Sequence, residues 1–373
     1  MLMEYKFNKL RINNVKKQNF FDNNLQHIYY FDYLRIFSSI LIILIHISAF
    51  YYIKIQLIIN SYIWKISYYY NSISRCGVPI FFMISGAVFL NRDITFKKLF
   101  VKYIKGIFIH LLIWSVFHSV IYNIENHETK IKSIIYQIIK SHYHLWYLFA
   151  LLGIYMIIPF LREISKNKQI LETFIFLSFI ILLIIPRFIH ILSLRYQIIY
   201  GLFTELYNKM NFKYFSIYHF YFVYGHYLNV KKIDNRNNRI LIYVLGLIGI
   251  IFTTKISYNI SIIKEKKLDY FGGQYLNIFF YSTSVFVYFK YNLEHSKFNK
   301  KKCNYFRKIS NYTFGIYLIH PFIIEKIIEK YHINELKINI LLLIPMNALI
   351  VFILSLIISI ILKYIPFIGK YIV

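Results

Sequence analysis

The chain has 373 residues, 58% of them hydrophobic, with a mean hydropathy of +0.49 and a formal net charge of +28. A soluble domain is nearer half apolar, and here the excess falls into separate runs long enough to cross a hydrocarbon core, at roughly 20 residues each, which excludes a soluble globular protein. The charge does not argue for a nucleic-acid partner, because Lys and Arg sit mainly in short polar gaps between apolar runs, where the positive-inside effect puts them.

In chain order, residues 1–28 are polar and basic (Lys6, Lys9, Arg11, Lys16, Lys17) and read as a cytoplasmic tail. No short apolar segment with a small-residue cleavage site follows, as a secretory signal would require. Residues 29–364 then read as one transmembrane domain of about ten helices: 31–53, 71–91, 100–122, 143–161, 172–192, 212–230, 239–256, 270–289, 309–329 and 338–362. A short cytoplasmic tail, 365–373, closes the chain. The fold class expected is all-α, a polytopic helix bundle. With both termini cytoplasmic, the inside segments carry 26 Lys and Arg and the outside gaps 13. That bias follows the positive-inside rule. Lys264-Glu265-Lys266-Lys267 lies outside against it. Cys76 falls in an apolar run and Cys303 in a basic loop, a pattern of neither a disulfide framework nor a zinc site. No metal is expected.

Ionisable groups inside a bilayer are expensive, so each is a candidate for function. Arg35 lies near the inner end of the first span, and His46 lies eleven residues on, about 16 Å deeper by the helical rise. The separation is close to three turns, so the two share a helix face. Arg35 alone reads equally well as a side chain snorkelling to the headgroups, and a lone His46 as a neutral core histidine. His110 and His320 fall at similar mid-membrane depth in the third and ninth spans. An imidazole there can act as a general base near neutral pH, or the three can satisfy one another.

Two further groups lie nearer the surfaces. Arg75 opens the second expected span, and His142, His144 and Trp146 open the fourth. They form a basic, aromatic outer mouth suited to a sugar or an acidic glycan, although Trp is ordinary at an interface. Lys98, Lys102 and Lys105 lie at the inner surface, with Lys102 and Lys105 three apart on one face. They read as positive-inside decoration, or as a clamp for the phosphates of a nucleotide-bearing donor beside Arg35.

Five stretches together resemble the membrane acyltransferase-3 family, which includes O-acetyltransferases of bacterial surface polysaccharides. They are Tyr30-Phe31-Asp32-Tyr33-Leu34-Arg35 through His46, an Arg-x10-His pattern; Arg75 through Gly86; His144-Leu145-Trp146-Tyr147-Leu148 through Pro159; Tyr221 through Leu228; and Phe314 through Pro321. The order and the ten helices match that family. Where the family often has Arg-x-x-Arg, this chain has Lys102-x-x-Lys105, which keeps the charge and loses the bidentate fork. The resemblance implies acyl transfer, commonly acetyl, from cytoplasmic acyl-CoA to a hydroxyl of a surface polysaccharide or lipid-linked glycan. His46 and His320 are then the expected catalytic residues. Arg35, Lys102 and Lys105 would bind the donor, and Arg75, His144 and Trp146 would line the acceptor side. Acyl-CoA is a co-substrate, with no permanently bound cofactor. The expected partners are membrane lipids, the donor and the glycan acceptor, with no nucleic acid. The expected site is the plasma membrane, the cytoplasmic membrane of a bacterium. A transporter or export permease for a polysaccharide or its intermediate is the competing reading. A transporter often shows matched, broken helices in two halves, and no such pairing is evident.

Overall fold

The computed structural model describes residues 28–51, 61–127, 130–192, 196–212, 216–263, 272–293, 300–329, 339–366 and 369. The basic tail 1–27, the Lys264–Lys267 cluster and most of 365–373 lie outside the described residues. Among the described residues the architecture is helical with no strand. Seven helical segments are long and apolar enough to cross a membrane. Three other expected spans are helical but shorter or less apolar: Ile217–Val230, Leu276–Leu293 and Thr313–Ile323.

Helix α1 (Tyr29–Ala49) carries Arg35 and His46 and is the hub of the bundle. Its N-terminal part, through Tyr30, Phe31, Leu34 and Leu41, joins one apolar core; Ile43 and Ile47 of its C-terminal part join a second. The next segment runs from Tyr62 to Phe89, so the second expected span starts nine residues earlier than the hydropathy pattern implies. Ser61 caps its start by accepting from the Trp64 amide at 3.3 Å. The segment divides into α2 (Tyr62–Ser74) and α3 (Gly77–Phe89). Arg75 therefore does not open this span; it sits at the division, in the middle.

Helix α4 (Phe96–Glu125) begins with a widened, π-type turn at Leu99–Ile104, which contains Lys102. Amphipathic α5 (Ile131–Lys140) leads through Ser141 and a tight turn, Tyr143–Leu145, into α6 (Trp146–Lys166). Helices α7 (Lys168–Leu192) and α8 (Gln197–Lys209) follow, then α9 (Ile217–Val230). Most of α9 is buried. A Cβ on Gly86 of α3 would collide with the Phe222 carbonyl of α9, and one on Gly225 of α9 with the Met83 backbone of α3. This reciprocal backbone contact is what small residues permit between membrane helices.

Helix α10 (Arg236–Ile256), continued by Ser257–Ile263, packs on α11 (Leu276–Leu293). Lys290 of α11 is buried, and its ammonium donates to the carbonyls of Leu228, Asn229 and Lys231 at 2.9, 2.8 and 3.0 Å. It thereby satisfies the free carbonyl end of α9, where a cation also complements the helix dipole. Helices α12 (Lys300–Ser310), α13 (Thr313–Ile323, running on as a π-type turn to Glu329) and α14 (Ile340–Lys363) complete the bundle, and all three pack on α1.

Candidate active site

His46 is partly exposed on α1, and its ring faces inward. It lies 5.2 Å from the ring of His320 on α13 and 5.4 Å from that of Tyr143. His320 is completely buried, and its Nδ1 lies 2.7 Å from the Tyr317 carbonyl and 3.2 Å from the Ile316 carbonyl. A carbonyl only accepts, so Nδ1 carries the proton and Nε2 keeps a bare lone pair. That Nε2 is buried without a hydrogen-bond partner.

His144 joins this pair rather than an outer mouth. It is 1% exposed and its ring lies 5.9 Å from that of His320. The cause is local. Ser141 ends α5 with φ 61 and ψ 161, a conformation costly for any residue but glycine, and the tight turn after it folds His144 inward. The Ser141 hydroxyl is 2.9 Å from that of Ser115 on α4. Tyr317 donates to the backbone carbonyl of His144, tying that turn to α13. His142 and His118 sit on the far side of His144, with ring centroids 4.9 and 5.2 Å away.

The expected third mid-depth histidine stays apart. The His110 Nδ1 bonds its own helix at the Gly106 carbonyl, 2.6 Å away, and its ring packs on Phe314. This is the structural role open to any core histidine.

Arg75 is held from below. Its Nε donates to Asn71 Oδ1 at 2.8 Å, and a second guanidinium N–H donates to the same oxygen. The Asn71 amide in turn donates to the Ile45 carbonyl and to Ser48 Oγ, each at 3.0 Å. Ile45 and Ser48 flank His46, so Asn71 straps α2 to the turn that carries it. Asn71 is fully buried. The sequence reading missed it; a polar residue one turn before Arg75 in an aromatic run was the available signal. Trp146, 39% exposed, opens α6 and stacks near Tyr218 at 5.2 Å.

Toward the N-terminal end of α1, Arg35 pairs with Asp32 at 3.5 Å, where the Asp32 side chain is 2% exposed. Lys102 and Lys105 are exposed. Lys102 lies over the Tyr103 ring, within the π-type turn near the start of α4. Arg162 of α6 donates to Asp93 at 2.7 Å and to the Ile94 carbonyl at 2.7 Å, and this bond holds the exposed Asp93 carboxyl below the usual range. A separate apolar cleft of about 350 Å³ lies between α7, α10 and α11, with Arg187, His190, Phe252 and Phe280 among its walls; it shares no residue with the histidine group.

Seven membrane-length apolar helices among the described residues define a multi-pass membrane protein. The chain also matches the model of the acyltransferase-3 family, described as an acyltransferase domain, over residues 28–364. It belongs to that family and is a membrane acyltransferase. No curated protein and no solved structure matches it.

Proposed function

We propose that the protein transfers an acyl group, most simply acetyl, from cytoplasmic acyl-CoA to a hydroxyl of a surface polysaccharide or lipid-linked glycan. The host membrane in this reading is a bacterial cytoplasmic membrane, crossed about ten times with both termini inside. The observation that carries it is the position of His46: on the same helix as Arg35, partly exposed, and backed by two buried histidines.

In this mechanism His46 takes the proton of the acceptor hydroxyl as the oxygen attacks the thioester carbonyl. The tetrahedral intermediate collapses, the C–S bond breaks, and the CoA thiolate takes up a proton on leaving. His320 fixes the ring of His46. Arg35 holds the donor with the guanidinium edge that Asp32 leaves free, and Lys102 and Lys105 add diffuse positive charge for its phosphates. Arg75 and Trp146 border the acceptor, with His144 behind them. The test is mass spectrometry of surface glycans from cells carrying wild-type protein or His46→Ala. Acyl ester present with the first and absent with the second is expected. Equal esterification in both sinks the reading.

A further inference from the structure

Three histidines beyond the catalytic pair converge on one point. His118 of α4, His142 before the tight turn, and His144 within it each present a ring nitrogen, and the three nitrogens lie within 4.8 Å of one another. The rings of His118 and His142 stack at 4.0 Å. His118 and His144 are 7% and 1% exposed, and Nε2 of each is buried without a hydrogen-bond partner. The orphaned His118 Nε2 calls for an explanation, and an ion is one of the few available.

The second shell points the same way. His142 Nε2 lies 3.2 Å from a Glu325 carboxylate oxygen, while its Nδ1 lies 2.7 Å from Nδ1 of His144. A carboxylate accepting from one imidazole nitrogen fixes the tautomer and leaves the other nitrogen as a lone pair, the arrangement that orients metal-bound histidines. The Glu325 charge is available for this, because the neighbouring Lys326 is taken by Glu125. Two nitrogens on a tetrahedral ion with bonds of about 2.0–2.1 Å stand about 3.3 Å apart, so the His142 and His144 Nδ1 atoms, 2.7 Å apart, need to open by about 0.6 Å.

We infer that His118, His142 and His144 bind a divalent transition metal ion of the zinc class, with Glu325 as the carboxylate behind His142. Three neutral imidazoles in a buried site are a donor set for zinc rather than for magnesium or calcium, which take oxygen. The ion ties α4, the turn before α6 and the far end of α13 together beside His320, and its fourth position remains open to a small ligand. The sequence reading expected no metal, on the pattern of the two cysteines. The inference does not depend on the acyl-transfer reading, and its test uses no activity.

The full chain, purified in detergent micelles with a tag free of histidine, is stripped with chelator and given zinc ion alone, then washed and assayed by elemental mass spectrometry. One zinc per chain is expected for wild type and for His190→Ala, an exposed histidine on α7. His118→Ala and His142→Ala should retain none. Glu325→Gln, at a partly exposed position, should bind about 10–100-fold more weakly. His46→Ala should keep its zinc whatever its activity. Cobalt ion added to stripped wild type should give the intense visible bands of a four-coordinate site. A pale six-coordinate cobalt spectrum, no retained zinc in wild type, or unchanged zinc affinity in Glu325→Gln overturns the inference.

Discussion

His46 on the first helix and His320 on α13 place their rings 5.2 Å apart, and His46 is partly exposed where His320 is completely buried. The two therefore differ in what they can do. His320 has its Nδ1–H committed to the Tyr317 carbonyl and no route for an incoming hydroxyl. His46 can meet one. Loss of a general base costs about 10²–10⁴-fold in rate, so His46→Ala should lose that much kcat. If His320 acts through His46, His320→Ala costs less, and adding it to His46→Ala costs almost nothing more, because residues working as a unit are non-additive. Thiol release from acyl-CoA by the purified single and double variants measures this. Additive losses would remove His320 from the mechanism.

The Asn71 strap makes a separate forecast. Its amide joins α2 to the backbone beside His46, and its oxygen accepts from Arg75. Asn71→Ala removes the buried oxygen that accepts from Arg75 and the amide that bridges to the Ile45 carbonyl and Ser48, a loss that costs about 1–3 kcal/mol. Expression should survive with a lower thermal midpoint, and kcat should fall more than the acyl-CoA KM rises. Asn71→Asp keeps the oxygen for Arg75 and should recover the midpoint in part. A variant with wild-type kcat would show that the strap does not position His46.

Donor binding separates Arg35 from the lysines. Arg35 is partly buried beside Asp32, and hydrogen bonds to such charged groups are worth about 1.5–3 kcal/mol. Arg35→Gln should raise the acyl-CoA KM by about 10–100-fold. Lys102 and Lys105 are exposed, where a charge pair is worth about 0.2–1 kcal/mol. Lys102→Ala and Lys105→Ala should each raise it only a few-fold, and more at low salt. Steady-state kinetics at two ionic strengths checks both, and a large, salt-independent lysine effect would reverse the ranking.

The helical class and most spans were legible because a run of about 20 apolar residues has no other stable home. Arg35 and His46 were legible because charge at depth is conspicuous. His144 was read as a site residue at an outer mouth but its burial was not legible, since it follows a polar stretch and depends on the unusual backbone of Ser141, which no hydropathy pattern encodes. The start of the second segment was misplaced for a related reason. Its first turns carry Lys65 and a run of tyrosines, which lower hydropathy while still packing on α1 and the Tyr258 ring. The histidine convergence was invisible because it joins α4, the turn before α6 and α13 only in three dimensions.

Ser141 gives the last prediction. Its backbone, at φ 61 and ψ 161, lies in a region that costs a non-glycine residue about 1–3 kcal/mol. Against this, its hydroxyl shares one hydrogen bond with Ser115, worth about 0.5–1.5 kcal/mol. Ser141→Gly removes both terms, and the strain is the larger, so the variant should unfold at a higher temperature in detergent. Ser141→Val adds a β-branched side chain at the same angles and removes the bond, so it should unfold at a lower one. Ser115→Ala keeps the strain and loses the bond, and should fall between wild type and Ser141→Val. Because this turn aims His144 at His320, the looser glycine variant should also lose kcat while gaining stability. A glycine variant less stable than wild type would show that Ser141 is not strained and that another contact buries His144.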